Sequence, residues 1–356
     1  MTPSFEFEPF PKRVYTADML LEGFDPDRPI SYSDMLDFRI FKEFWAAKGA
    51  ATGDYLVAMS RALHDNGITQ HLADAVKGKQ IVGIMGGHSA KRGDTDYVQA
   101  AHLAAALTRA GYLVASGGGP GVMEAVHLGA AAASDEKVLN DLLAAISAKD
   151  VPASIPPKAS QVISTDGITV DPGIVEDLGT YLAPAVKLRK QLDPAGQRSG
   201  GLGIPTWMYG FEPFTPFASM IAKYFQNSIR EDGLLALATH GVIYMKGSAG
   251  TMQEVFQDAA QNFYHTFPLG QGQFSPMVFF GAFWNDFPIK PVLEALFQRP
   301  GNPDIPPPTS WTEYSKWVTF SSDVAAAVAH IQSFPGQAES SMLAKVRHSR
   351  PMAALR

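Results

Sequence analysis

The sequence predicts an α/β protein: a Rossmann-like open parallel sheet flanked by helices, with extra N-terminal helices and a helical insertion. Three observations predict it. Short apolar runs at QIVGIM (80–85), YLVAS (112–116), HGVIYM (240–245) and PMVFFG (276–281) have the length of strands buried on both faces. Segments with helical apolar spacing stand between them. Glycine-rich turns, Ser116-Gly117-Gly118-Gly119-Pro120-Gly121 and Lys246-Gly247-Ser248-Ala249-Gly250, close two of the runs and open the next helix.

Taken in order, residues 1–30 are rich in Pro, Phe and Asp and read as an irregular arm. From Ser31 to Lys77 apolar residues recur at helical spacing (Met35, Phe38, Phe41, Phe44, Trp45, then Tyr55, Leu56, Met59, Leu63), so two or three helices are expected to pack against the rest. A first strand at 80–85 enters the turn Gly86-Gly87-His88-Ser89. A helix over 94–110 ends at Gly111, as C-terminal glycines often do. The strand at 112–116, the first glycine turn and a helix from Val122 complete a βαβα unit, which requires parallel strands. Residues 134–200 read as an insertion, with helices at 136–148 and 173–192 around a Pro-rich stretch at 151–158. GLGIPTWMYG (201–210) reads as a strand returning to the sheet and 217–237 as a helix. The strand at 240–245, a helix over 251–264, a strand at 276–281, a helix at 291–297, a strand at 317–322 and a helix over 323–334 follow. The expected organisation is an N-terminal arm and helices over 1–77, a Rossmann-like domain over 78–335 and a tail over 336–356.

With 356 residues, 46% of them hydrophobic, the chain can bury a large core. Charged residues make up 18%, below the roughly 25% usual for soluble domains, which together with 13 Met and 22 Phe suggests further buried surface such as a subunit interface. A net charge of −6 gives no electrostatic basis for binding a nucleic acid polymer. A small anion is a different case, because backbone amides and helix ends bind it without net positive charge. The absence of cysteine excludes disulfides, thiolate metal ligands and a Cys nucleophile. Dispersed histidines, with neither H-E-x-x-H nor G-x-S-x-G, argue against a metal site or a serine hydrolase. No signal peptide and no run of ~18 apolar residues is present, so a cytoplasmic chain without a membrane partner is expected.

Candidate site residues cluster at strand ends. In the first glycine turn, glycines allow close backbone approach, and the helix that follows offers free amides and its positive dipole end to an anion; a tight, ligand-free turn has the same pattern. In the second, Thr251 and Glu254 have the spacing of a capping box, the alternative being that Gly247, Ser248, Gly250 and Thr251 hold a phosphate while Glu254 faces a sugar. At the end of the first strand, Gly86 and Ser89 stand where open α/β sheets bind ligands. His88, Lys91 and Arg92 are expected in solvent. Arg230, 24 residues before Glu254, reads either as a surface arginine paired with Glu231 or Asp232 or as an anion ligand. Trp207 and Tyr209 read as core aromatics or as a stacking surface for a base.

These turns resemble the LOG-type phosphoribohydrolase family, whose members are often mislabelled lysine decarboxylases. Gly117, Gly118, Gly119, Gly121 and Met123 match the family's G-G-G-x-x-G-x-M element. KGSAGTMQE is similar to its P-G-G-x-G-T-x-x-E signature: Gly247, Gly250, Thr251 and Glu254 keep their places, while Lys246 replaces Pro and Ser248 replaces Gly. The likeness covers about 80–130 and 201–332, and the length looks more like the nucleotide 5′-monophosphate nucleosidase relatives. It implies hydrolysis of the N-glycosidic bond of a nucleoside 5′-monophosphate, with Arg230 and Glu254 as catalytic residues, no cofactor, and a homodimer. The family shows Arg-Lys where this chain has Arg230-Glu231. A phosphate anchored by Gly118–Gly121 or by Gly247–Thr251 orients the sugar, and the helix dipole is expected to favour an anionic Glu254. The alternatives are a module that binds a nucleotide without cleaving it and a carrier of a pterin-type phosphorylated cofactor.

Overall fold

The computed structural model describes residues 5–193, 199–264, 274–298 and 310–334; the expected tail over 336–356 lies outside them. Seven strands, β1 (Ile81–Met85), β2 (Leu113–Ser116), β3 (Leu202–Gly203), β4 (Met220–Ile221), β5 (Val242–Tyr244), β6 (Met277–Phe280) and β7 (Val318–Ser321), form one sheet. Every pairing is parallel and the order is β4-β3-β2-β1-β5-β6-β7. The chain runs outward from β1 to β4, then returns to the other side of β1 with β5. That reversal is a topological switch point, where open α/β sheets bind ligands beyond the carboxyl ends of their strands.

Helices α1 (Ala17–Leu20), α2 (Leu36–Ala46) and α3 (Tyr55–Ala75) precede the sheet, and α4 (Thr95–Arg109) joins β1 to β2. Between β2 and β3 lie α5 (Val122–Ala131), α6 (Glu136–Ile146) and α7 (Pro172–Leu192). Helix α8 (Asn227–Leu237) leads into β5 and α9 (Ala249–Tyr264) leaves it. Helices α10 (Phe283–Asp286), α11 (Ile289–Phe297) and α12 (Trp311–Tyr314) stand before β7, and α13 (Val324–Ser333) follows it. Local chemistry explains the boundaries. Asp54, Asp135, Asp171 and Asp323 cap their helices, with Pro172 at the first position of α7. Gly111 ends α4 with φ +94°. Among the described residues no helix is long and apolar enough to cross a membrane.

Three expectations are corrected. Residues 217–226 are not helical; α8 starts at Asn227. The apolar spacing of Phe217, Met220, Ile221 and Tyr224 mimics a helix, but the backbone donors are taken elsewhere. Ile221 exchanges hydrogen bonds with Tyr15, Ala222 N–H reaches Gly203 O, and Asp65 accepts from the amides of Phe225 and Gln226 at 3.0 and 2.9 Å. The buried Lys223 ammonium meets the Asp37 carboxylate at 2.8 Å, and Trp207 Nε1 donates to the same group. Secondly, only Leu202 and Gly203 of the 201–210 segment are strand, after which Trp207–Tyr209 form a 3-10 turn. Thirdly, Tyr55, Leu56, Met59 and Leu63 face solvent, Tyr55 with 84% of its surface exposed. Helix α3 packs instead through Ile68 and Leu72 and the buried polar residues Arg61, His64 and Asp65.

Candidate functional site

The turn after β1 lies between the two glycine turns and is bonded to both. Gly87 N–H donates to Lys246 O (3.0 Å), and Gly87 O accepts from Val122 N–H at the head of α5 (3.2 Å). A Cβ on Gly86 would lie 2.6 Å from Val122, and one on Gly121 (φ +68°) 2.6 Å from both Gly87 O and His88 O. Gly121→Ala is therefore expected to part the first two turns and weaken ligand binding at least 10-fold; titration calorimetry with a nucleoside monophosphate checks this, and unchanged affinity contradicts it.

Two donors of the first glycine turn are spent on the protein. Gly118 N–H donates to Ser116 Oγ (3.1 Å), which also meets His127 Nε2 (2.9 Å), and the amide of Val122 is taken by Gly87. Burial pushes the His127 imidazole down to about 4, so it is neutral, and neither His127 nor Ser116 is accessible to a ligand. The second turn differs. The first hydrogen bond of α9 runs from Met252 N–H to Ser248 O (3.1 Å). The amides preceding Met252 lie at the open end of the helix, where Ser248, Gly250 and Thr251 line a cleft.

This cleft has a volume of about 280 Å³. Of the residues singled out from sequence, Gly86, Gly117, Gly119, Met123, Arg230, Ser248, Gly250, Thr251 and Glu254 line it. Gly118, Gly121 and Gly247 do not; they shape the backbone behind it, and a Cβ on Gly247 would strike the Thr251 hydroxyl. Ser89 is exposed beyond the wall. Tyr209 is at the wall, whereas Trp207 is in the core. Sequence reasoning missed Thr206, Glu212 and Glu231 as lining residues; Glu212 follows an irregular segment with no motif to mark it.

Arg230 is paired with Glu231, as one of the two readings expected, and it also lines the cleft. Its Nε donates to Asn227 Oδ1 and its Nη2 to Glu231 Oε1, each at 2.9 Å, while Nη1 approaches Gly117. Glu231 also accepts from Asn227 Nδ2 and Gln253 Nε2. Arg92 is not in solvent: its guanidinium binds the Glu124 carboxylate through two contacts of 2.7 Å and stacks on Tyr181. The capping-box reading also fails, because α9 begins at Ala249 and Thr251 is already inside its first turn.

The charge state of Glu254 departs from expectation. Its carboxyl opens on the cleft but is otherwise enclosed, and burial pushes it up to about 7; Arg230 pulls the other way and Glu231 adds to the rise. Desolvation therefore outweighs the helix dipole. Deeper in α9, burial also lifts Asp258 to about 7, although Tyr244 Oη and Asn262 Nδ2 donate to it at 2.9 and 3.1 Å. A carboxyl with a raised folded-state pKa holds its proton more tightly in the native protein. Its stabilising contribution is present at low pH and is lost as pH rises through about 7. The unfolding midpoint should thus fall between about pH 4 and about pH 7, and Asp258→Asn should flatten that fall; equal pH slopes for the two proteins would contradict the assignment.

A Rossmann-like sheet with amide-rich turns and an Arg–Glu pair at its switch point defines a nucleotide-binding class of protein. Within that class, residues 79–138 match the model of the SLOG cluster4 family, which relates the chain to the SLOG superfamily over β1, α4, β2, the first glycine turn and α5. No curated protein matches the chain.

Proposed function

We propose that the protein hydrolyses the N-glycosidic bond of a nucleoside 5′-monophosphate, giving free base and ribose 5-phosphate. The observation that carries this reading is that Glu254 and Arg230 share one cleft with the open amide end of α9. The phosphate sits at that helix end, where dipole and free amides favour an anion. Its binding energy orients the ribose against Glu254. Bond cleavage builds positive charge on the sugar ring, which the Glu254 carboxylate stabilises while it takes a proton from the attacking water. Arg230, held by Asn227 and Glu231, keeps its second terminal nitrogen towards the cleft. No cofactor enters the scheme. Incubation with a panel of nucleoside monophosphates should release free base; release from none of them contradicts the reading.

Only the ionised fraction of Glu254 can act as the base, so kcat/KM should climb between about pH 6 and about pH 8, with its midpoint set by a carboxyl near 7. A flat profile would contradict that role. A second reading, a nucleotide-binding module without hydrolysis, draws on Glu231, which occupies Arg230 where the resembling family has lysine. Tight monophosphate binding with no base release distinguishes it. The exposed apolar stripe on α3 (Tyr55, Leu56, Met59) is the surface we assign to a homodimer contact.

A further inference from the structure

The scheme above leaves the departing base short of a proton. As the C1′–N bond breaks, its electron pair leaves with the base, so a donor is needed on the base side. Glu254 receives the water proton, and Arg230 cannot supply one because a guanidinium stays protonated. Two further acids line the cleft, Glu212 and Glu231.

Glu212 stands three residues past Tyr209, on the segment leaving β3. The sheet order puts β3 on one flank of β1 and β2, and β5 with α9 on the other. Three strand spacings separate β3 from β5, roughly 14 Å, a span suited to a nucleotide lying with its phosphate at α9 and its base towards residues 205–212. The exposed face of Tyr209 is on that wall. The Glu212 side chain is 17% exposed, and its Oε1 lies 3.6 Å from Nδ1 of the half-exposed His88, beyond hydrogen-bonding distance. A Cβ on Gly119 would come within 3.6 Å of Oε2, so the first glycine turn leaves room beside this carboxyl. Glu231, by contrast, has its oxygens engaged by Asn227, Arg230 and Gln253.

We propose that Glu212 is the general acid of the reaction, protonating the leaving base while Glu254 accepts the proton of the attacking water. The inference rests on the hydrolase reading. In the step, the C1′–N bond breaks and its electron pair goes to the base, N7 of a purine takes the proton of Glu212, and the water oxygen joins C1′. One water is consumed. Glu254 then releases its proton to solvent, and Glu212 regains one from solvent past His88. Burial favours the protonated form of Glu212, against the opposing pull of His88 and Arg230.

The test compares AMP and GMP with N7-methylated GMP, whose base leaves without needing a proton. Glu212→Gln should slow release from the ordinary purine nucleotides by roughly 10²–10⁴-fold and from the methylated one by about 10-fold or less. Glu212→Asp, which keeps an acid, should recover part of the lost rate. An equal loss on both kinds of substrate with an unchanged unfolding midpoint would overturn the assignment, as would no loss on AMP and GMP or wild-type release from pyrimidine nucleotides alone. Wild-type protein that releases base from no nucleotide, methylated or not, would sink the hydrolase reading itself.

Discussion

Replacing Glu254 by Gln should leave nucleoside monophosphate bound and slow base release by roughly 10²–10⁴-fold, the usual contribution of a positioned proton-transfer group. The amide matches the carboxyl in shape but can neither take a proton from water nor stabilise a developing cation as an anion does. Binding should survive, because in the proposed scheme the phosphate is held by the turn before Met252 and not by this side chain. Indeed, removing a carboxylate from a cleft that also contains Glu212 and Glu231 should tighten binding of a dianion slightly. Calorimetry and a base-release assay on the same preparation check both halves. Full activity in Glu254→Gln would remove this residue from the chemistry.

The second large effect is on stability. Arg92→Met should destabilise the protein by roughly 3–5 kcal/mol, because it strands the Glu124 carboxylate in the core. Arg92 does more than pair with Glu124. Its Nη1 donates to Tyr181 O at 2.9 Å and Pro152 O at 3.2 Å, and its backbone N–H to Ala153 O. Tyr97 Oη completes the network on Glu124 at 2.8 Å. One side chain thus ties the turn after β1 and helix α5 to the 134–200 insertion. The double variant Arg92→Met/Glu124→Leu should recover much of the loss, since an apolar pair carries no desolvation penalty. Urea unfolding measures the three proteins; a single variant within 1 kcal/mol of wild type, on the order of a surface substitution, would contradict the account.

The inner strands β1, β2, β5 and β6 were legible because they are fully buried. IVGIM and MVFF have no polar residue to blur the period and LVAS has only its terminal Ser116, and each ends in a turn rich in small residues. Strand β4 was hidden because its apolar spacing fits a helix equally well, and the deciding partners, Tyr15, Asp37 and Asp65, lie far away in sequence. The same limit governs the site. Glycine turns carry a local signature, so Gly117, Gly119, Gly250 and the neighbouring Glu254 could be placed from sequence. Glu212 and Arg92 carry none; the first looks like a loop acid and the second like half of a basic surface pair. The pKa of Glu254 was misjudged for a related reason. A helix dipole is visible in sequence, whereas the enclosure that outweighs it depends on residues brought in from elsewhere in the chain.

In the proposed complex one nucleotide spans the switch point, with phosphate on the amides at the start of α9 and C1′ beside Glu254. The most direct measurement is a structure with a C-nucleoside 5′-monophosphate, whose carbon–carbon glycosidic link resists hydrolysis. Its phosphate should lie against Ser248–Thr251, with C1′ within about 4 Å of the Glu254 carboxyl and the base towards Tyr209 and Glu212. A phosphate seated at the head of α5, or a ligand bound outside this cleft, would contradict this arrangement.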